Sequence, residues 1–304
     1  SWAMKWSERC CLRKDANQTE YGESEVRKHT IKREGFELGV REQGDGPAVI
    51  FGHSLGFDWE MWSFLAPTLA SHYRMVAMDL RGHGDSTGPA RDYPISDMAD
   101  DVVAVMDQLG IEKASYCGLS MGGMVGMHLA LKYPERINGL VLMSTSATEE
   151  LASNRTTYDM LNEQTRGTPP NPAVVQFLLG LMFSAEFRSR CPEVVKHFEN
   201  KLQRVNDDPS YFSVRSVIHR EGFEDAIARI DLPTLVICAE ADTSFPVSEL
   251  ELIHERIPGS QLIRVPGAGH MSAVENPDSV AEMIQGFLTP LYETSSKTME
   301  VRPS

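Results

Sequence analysis

The 304-residue sequence is constrained most by a series of short apolar runs that alternate with segments of helical spacing. Each run has four or five residues and is almost continuously apolar, as a strand buried on both faces of a sheet requires. Strands of this kind are predicted at Ala48–Phe51, Met75–Met78, Ala114–Cys117, Leu140–Met143, Leu235–Cys238 and Gln261–Val265. Phe36–Val40 and the stretch just before it predict an antiparallel pair. The alternation predicts an α/β fold, a mostly parallel sheet of about eight strands flanked by helices.

The segments between these runs carry helix signals. Between Ile95 and Leu109 the apolar residues recur every three or four positions, and Gly110 follows as a helix stop. Near the end of the chain, Asn276 can cap a helix whose first turn suits Pro277. The helices needed to cover both faces of the sheet are therefore predicted.

One long segment, Ser146 to Ile230, interrupts the alternation because it contains no clear strand. It has helical patches at Ala173–Met182, Glu193–Val205 and Tyr211–His219, separated by prolines. A structureless loop of this length is rare in a compact domain, so a helical insertion is expected. The predicted division is a core at 29–145 and 231–290 with a helical cap at 146–230.

The two ends of the chain lack apolar periodicity. Residues 1–28 are polar and charged, and we expect a disordered or tag-derived leader there. Residues 291–304 are expected to form a flexible tail.

The charge balance excludes some partners. Lys and Arg number 29 against 43 Asp and Glu, which gives a net charge of −14. A nucleic-acid groove or an anionic membrane surface would need a basic face, so neither partner is expected. No apolar run reaches the roughly 18 residues that span a bilayer, and no secretory signal is recognisable, so a cytoplasmic location is expected.

The cysteines give no sign of a metal or a disulfide framework. The chain has 5 cysteines, an odd number, with no paired CxxC spacing and no HExxH sequence. Reduced thiols, no metal and no cofactor are therefore expected.

The strongest chemical signal is the sequence from Gly118 to Gly123, which follows the Ala114–Cys117 run and opens a helical segment. A serine at such a sharp strand-to-helix turn needs small neighbours two residues away on each side, and Gly118 and Gly122 meet that need. Ser120 is therefore a candidate nucleophile. The alternative is a glycine-rich turn that holds a buried serine.

A serine nucleophile needs a base and a group that orients the base. Asp242 and His270 each follow a predicted strand, as Ser120 does, so all three belong to the same edge of a parallel sheet. The chain order Ser120, Asp242, His270 matches that expected for this topology. Glu240 and Glu149 are rival acids.

Two other histidines, His83 and His128, suit structural roles better than the role of the base. His83, within Arg81-Gly82-His83-Gly84, is expected to organise its turn, and His128 to pack in the helix after Ser120. His270 therefore remains the favoured base.

Acyl transfer also requires donors for a developing oxyanion. One candidate is the backbone N–H of Met121, directly after Ser120. The other is the N–H of Leu55, in the loop after Ala48–Phe51. Ser54 is an alternative that would add a side-chain hydroxyl to the site.

Together these motifs resemble the α/β-hydrolase fold family over roughly Ile31 to Leu288. The resemblance rests on Gly52–Gly56, Met78–Ser86, the turn around Ser120, Asp242 with Pro246 four residues on, and Gly267–His270. Ser120 places the chain in the serine branch, because the haloalkane-dehalogenase and epoxide-hydrolase branches use aspartate at that position. Within this branch, Tyr116–Met127 and His53–Gly56 followed by Trp62 are most similar to 3-oxoadipate enol-lactonases and related lactonases and esterases.

The resemblance implies hydrolysis of a small carboxylic ester or lactone, including an enol-lactone of aromatic catabolism, by a monomer or homodimer. A thioesterase or a carbon–carbon bond hydrolase on the same triad is an alternative, as is a lyase. A ligand-binding protein without catalysis is a further alternative. Met182, Phe183, Phe187 and Phe212 are either pocket walls or cap packing, and Arg188, Arg215 and His219 either meet a substrate carboxylate or are solvated.

Overall fold

A computed structural model describes residues 25–203 and 207–299, and the side chains of these residues up to Glu293. The described residues contain eight strands, all in one sheet. They are β1 (Arg27–Arg33), β2 (Phe36–Gln43), β3 (Ala48–Gly52), β4 (Arg74–Met78), β5 (Ala114–Leu119), β6 (Ile137–Met143), β7 (Thr234–Ala239) and β8 (Gln261–Val265).

The sheet has the strand order β1-β2-β4-β3-β5-β6-β7-β8. β2 pairs antiparallel with both β1 and β4, and every later pair is parallel. The predicted α/β class and the mostly parallel eight-stranded sheet are confirmed.

Helices cover both faces of the sheet. In the core they are α1 (Ala66–Leu69), α2 (Asp97–Gln108) and α3 (Met121–Lys132), with 3₁₀ helices at Trp59–Phe64 and Pro134–Arg136. The strands bury alternate residues on opposite faces, so Val49 and Phe51 lie in one apolar cluster and Ile50 lies in the other. This two-sided burial explains why the central strands, β3 to β7, are almost continuously apolar.

Between β6 and β7 the described chain forms five α-helices. They are α4 (Ala152–Thr165), α5 (Pro172–Met182), α6 (Ala185–Arg190), α7 (Pro192–Leu202) and α8 (Asp208–Ile218). α4 packs against α8 and α5 against α7. The sequence patterns indicated α5, α7 and α8 but not α4, because α4 is polar and buries only Asn162.

After the cap the chain returns to the core. A 3₁₀ helix at Ala226–Arg229 precedes β7, and α9 (Val247–Arg256) precedes β8. α10 (Ser272–Glu275) and α11 (Pro277–Met299) follow, with Pro277 in the first turn of α11 as predicted.

The described elements extend into both predicted chain ends. β1 begins at Arg27, inside the expected leader 1–28, and residues 1–24 lie outside the described residues. α11 continues to Met299, into the stretch 291–304 for which a flexible tail is expected. The Tyr292 hydroxyl joins this helix to the sheet, because it donates to the carbonyl of Ala48, 3.0 Å away, and accepts from the Ser115 amide at 3.1 Å.

Candidate active site

Six parallel strands, β3 to β8, end at the same edge of the sheet, and four of them lead into the candidate residues. Gly52 of β3 is in register with Gly118 of β5, and Ala239 of β7 with Val265 of β8. The loops that leave these strands contain Leu55, Ser120, Asp242 and His270. Because the strands are parallel, residues far apart in the chain meet at this edge.

Ser120 occupies a strained turn between β5 and α3. Its φ is 58° and its ψ is −116°, in a region that residues other than glycine rarely adopt. The turn is held by the Ser120 amide, which donates to Met143, and by the Thr145 hydroxyl, which donates to the Ser120 carbonyl. Ser120 is 7% exposed and stands at the N-terminus of α3, where negative charge is favoured.

The glycines beside Ser120 allow its turn to pack tightly. A Cβ on Gly118 would lie 2.2 Å from the Gly122 carbonyl oxygen, and a Cβ on Gly122 would lie 2.0 Å from the Gly52 carbonyl oxygen. No side chain fits at either position. The predicted need for small residues two positions from Ser120 thus has a direct steric cause.

Asp242 and His270 form a buried pair. Nδ1 of His270 lies 2.9 Å from Oδ2 of Asp242, and each side chain is 1% exposed. Oδ1 of Asp242 accepts from the amides of Ser244 and Phe245 at 2.8 and 3.1 Å. Burial raises the pKa of the Asp242 carboxyl, but His270 and these two amides outweigh it and lower the pKa. Asp242 is therefore an ionised acceptor that orients Nδ1–H of the imidazole.

The two rival acids lie elsewhere. Glu240 is exposed, and Glu149 forms a surface ion pair with Arg155 at 3.2 Å. His128 stacks on Phe223, with ring centroids 4.2 Å apart. The structure brings Asp242 to His270 and does not bring these residues there.

Ser54, which the sequence raised only as an alternative donor, contacts the candidate base. Its hydroxyl lies 3.4 Å from Nε2 of His270, and its side chain is fully buried. Ser54, Ser120 and His270 all line one cavity. Nε2 of His270 therefore faces the space in which a substrate would meet Ser120.

An oxyanion site needs backbone amides that are free to donate a hydrogen bond, and two amides at this edge of the sheet meet that need. Within the described residues, neither the Leu55 amide nor the Met121 amide donates to a protein acceptor, whereas the next amide, Gly122, donates to the His53 carbonyl at 3.1 Å. Both lie at the edge where Ser120 stands. They are available to a ligand oxygen.

Two neutral histidines hold the loop that carries Leu55. Nε2 of His53 accepts from the Leu80 amide at 2.8 Å, and Nε2 of His83 accepts from the Gly56 amide at 3.1 Å. The two rings meet edge to face at 5.0 Å. Burial lowers the pKa of His53 to about 4 and that of His83 to about 3. Both rings therefore stay neutral acceptors near pH 7, and His83 lies in the turn that it was expected to organise.

The cavity has a volume of about 420 Å³ and extends from Ser120 into the cap. Its cap wall combines apolar residues with polar ones, among them Asn154, Tyr158, Asn162 and Thr165. The apolar cap residues that line it are Leu161, Pro170, Val174, Leu178, Leu181, Met182, Leu202, Val214, Val217 and Ile218. Of the four apolar residues considered from the sequence, Met182 lines the cavity. Phe183 and Phe187 are instead buried and stack on each other, with ring centroids 5.6 Å apart.

Two cations line the cavity among the described residues, and sequence patterns indicated neither. The Lys201 ammonium lies 2.5 Å from the Asp58 carboxylate and 2.6 Å from that of Glu60. Arg220 pairs with Glu150 at 3.1 Å. In sequence, a lysine or arginine in a polar stretch resembles any solvated charge, so only the packing distinguishes these two.

The cap charges considered from the sequence lie outside this cavity. Arg215 donates to Asp92 at 2.6 Å, and His219 lies 2.9 Å from Asp159. These contacts are surface ion pairs.

The described residues contain neither a cluster suited to a metal ion nor a helix suited to span a membrane. In 25–203 and 207–299, no group of three or more His, Cys, Asp or Glu side chains is arranged to hold a metal ion. Across the same ranges, no helix combines the length and apolar character needed to cross a membrane.

The comparison with protein families agrees with this geometry. A family model described as the alpha/beta hydrolase fold matches residues 47–277. This chain belongs to that family, as its motifs predicted.

Relatives at the level of sequence and structure include lactonases and esterases. 3-Oxoadipate enol-lactonase 2 of Acinetobacter baylyi is 31% identical over 247 residues, which cover 81% of this chain and 90% of the relative. The solved structure of a thermophilic esterase from Thermogutta terrifontis has a TM-score of 0.80 at 25% identity, covering 88% of this chain and 99% of its own. The enol-lactonase from Burkholderia xenovorans has a TM-score of 0.79 at 26% identity, covering 86% and 100%.

Proposed function

We propose that this protein hydrolyses a carboxylic ester or lactone through an acyl-enzyme on Ser120. The similarity to enol-lactonases and an esterase supports this class of reaction. The observation that carries the proposal is the arrangement at the sheet edge. Ser120, His270 and Leu55 line one cavity, and Asp242 pairs with His270. Within the described part of the chain, the amides of Leu55 and Met121 have no protein acceptor.

In the first half-reaction, Nε2 of His270 removes the proton from the Ser120 hydroxyl as its oxygen attacks the substrate carbonyl carbon. The amides of Leu55 and Met121 donate to the oxyanion of the tetrahedral intermediate. Asp242 stabilises the imidazolium. The bond to the leaving oxygen then breaks, and His270 gives that oxygen its proton.

In the second half-reaction, a water gives a proton to His270 and attacks the acyl-enzyme carbonyl. The same two amides hold the second oxyanion. The bond between the acyl carbon and the Ser120 oxygen breaks, and His270 returns the proton to Ser120. For a lactone the product is one hydroxy acid, and for an open ester it is an acid and an alcohol.

The test is a panel of p-nitrophenyl esters and small lactones assayed with the protein and with Ser120→Ala. We expect turnover that falls by about 10⁴-fold or more in the variant. A fluorophosphonate should label the protein at Ser120, and labelling should disappear in the variant.

Absence of both turnover and fluorophosphonate labelling would refute the serine mechanism. Saturable binding without turnover would then favour a binding protein. Cleavage without labelling or an acyl-enzyme would favour a lyase.

A further inference from the structure

The cations that line the cavity are already neutralised by the protein. Lys201 is 8% exposed and lies between two carboxylates, Asp58 and Glu60, which are 7% and 19% exposed. One ammonium therefore faces two acids. An incoming anion would have to displace a carboxylate that is held in place by the fold.

Arg220 is held by backbone carbonyls as well as by a carboxylate. Its Nε donates to the Thr148 carbonyl at 2.8 Å, and its Nη1 donates to the Val217 carbonyl at 2.9 Å as well as to Glu150. The Arg220 side chain is 2% exposed and that of Glu150 is 14% exposed. Nε and Nη1 of Arg220 are thus directed at the protein rather than into the cavity.

The charges of the described residues that line the cavity also disfavour an anionic substrate. The acids are Asp58, Glu150 and Asp207, whereas the cations are Lys201 and Arg220. His83, which also lines the cavity, is a neutral acceptor. With three acids against two cations, the lining carries a net negative charge, which disfavours an additional anion.

The remaining wall favours an apolar chain. The aliphatic residues of α4, α5 and α8 described above line the cavity together with Phe57 and Phe245 of the core. A cavity of about 420 Å³ holds a small substrate with several methylene groups beyond its reacting carbonyl.

We infer that this cavity selects uncharged esters or lactones with an apolar chain and discriminates against those that carry a second, free carboxylate. The inference rests on the proposed function and adds the substrate class. A lactone or monoester of a dicarboxylic acid, which keeps one carboxylate, falls in the disfavoured class.

The test compares p-nitrophenyl hexanoate with mono-p-nitrophenyl adipate, which have the same acyl length and differ in a terminal carboxylate. We expect kcat/KM to be about 100-fold or more higher for the hexanoate. Between acetate and hexanoate, kcat/KM should rise by up to about fourfold per methylene.

Three variants test whether the paired cations cause the discrimination. Glu150→Gln frees Arg220 from its carboxylate, and Asp58→Asn leaves Lys201 with one carboxylate. Each should lower the hexanoate-to-adipate ratio by about tenfold or more. Glu149→Gln removes the same charge from an exposed neighbour outside the cavity and should leave the ratio unchanged.

The outcomes separate the two proposals. Similar kcat/KM for both esters, or a ratio that neither Glu150→Gln nor Asp58→Asn lowers, would overturn the inference while leaving the serine hydrolase intact. No rise with chain length would overturn the apolar-chain part. No Ser120-dependent turnover of either ester would refute the proposed function itself.

Discussion

Ser120, Asp242 and His270 show how single residues acquire chemical character from their surroundings. Ser120 stands in a backbone conformation that its neighbours enforce, and it lines the cavity. Asp242 keeps its charge although it is buried, because two amides and His270 donate to it. Each role depends on hydrogen bonds that a variant can remove one at a time.

Asp242→Asn removes the charge but keeps the side-chain shape. The amide oxygen can still accept from the Ser244 and Phe245 amides, while the NH₂ group faces Nδ1 of His270 and favours the wrong tautomer. We expect kcat to fall by about 10³–10⁴-fold with little change in folding. The measurement is kcat for a p-nitrophenyl ester together with thermal denaturation.

Glu240→Gln is the matched control, since Glu240 lies two residues before Asp242 and is exposed. It should keep kcat within about twofold. A larger loss in Glu240→Gln than in Asp242→Asn would identify Glu240 as the acid and contradict the geometry described here.

At the scale of elements, the turn between β5 and α3 depends on close contact with β3. The sequence from Gly118 to Gly123 predicts the strand, the turn and the helix, since small residues and apolar periodicity are local signals. The contact between Gly122 and Gly52 is not local, because it joins residues 70 positions apart. Helix α4 was not predicted either, because its residues are mostly polar and form no apolar stripe along one face.

Gly122→Ala places a methyl group where the Gly52 carbonyl oxygen now lies. The turn must move away from β3, which shifts Ser120 and the Met121 amide together. We expect kcat to fall by at least about 100-fold, because an oxyanion donor is displaced, and the free energy of unfolding to fall by about 1–3 kcal/mol. Ester turnover and urea denaturation measure the two effects.

Gly180→Ala is the control within a cap helix, because a Cβ there meets no atom within 4 Å. It should raise the free energy of unfolding by about 0.5–1 kcal/mol and leave kcat unchanged. Equal effects of the two substitutions would mean that helix propensity, not the contact with β3, determines the result at Gly122.

At the scale of the whole molecule, the cap is joined to the core by a group of charges. Lys201 of α7 pairs with Asp58 and Glu60 of the core, and His197 lies 3.1 Å from Glu60. Burial raises the pKa of Glu60, but hydrogen bonds from His197 and Lys201 outweigh it and lower the pKa to about 2. The charged form of Glu60 is thus favoured by the folded state.

Glu60→Gln should therefore destabilise the protein in a pH-dependent way. The stabilisation from Glu60 is complete above its unfolded pKa near 4.3 and is lost as pH falls through the folded value of about 2. We expect the variant to lose about 1–2 kcal/mol at pH 7, after allowance for partial solvent screening.

Urea denaturation of both proteins at pH 7, 5, 4 and 3 measures this difference. The gap should stay constant from pH 7 to 5 and shrink toward pH 3. A gap that grows as pH falls would contradict the assignment of a lowered pKa to Glu60.

The sequence by itself determined the strands, the main core helices and the edge at which Ser120, Asp242, His270, Leu55 and Met121 lie. These follow from local periodicity, glycine placement and the rule that parallel strands share one edge. Only the tertiary structure decided which acid reaches His270, that Ser54 contacts it, and that Lys201 and Arg220 are already paired. Those outcomes depend on distances between residues far apart in the chain, and no local pattern encodes such distances.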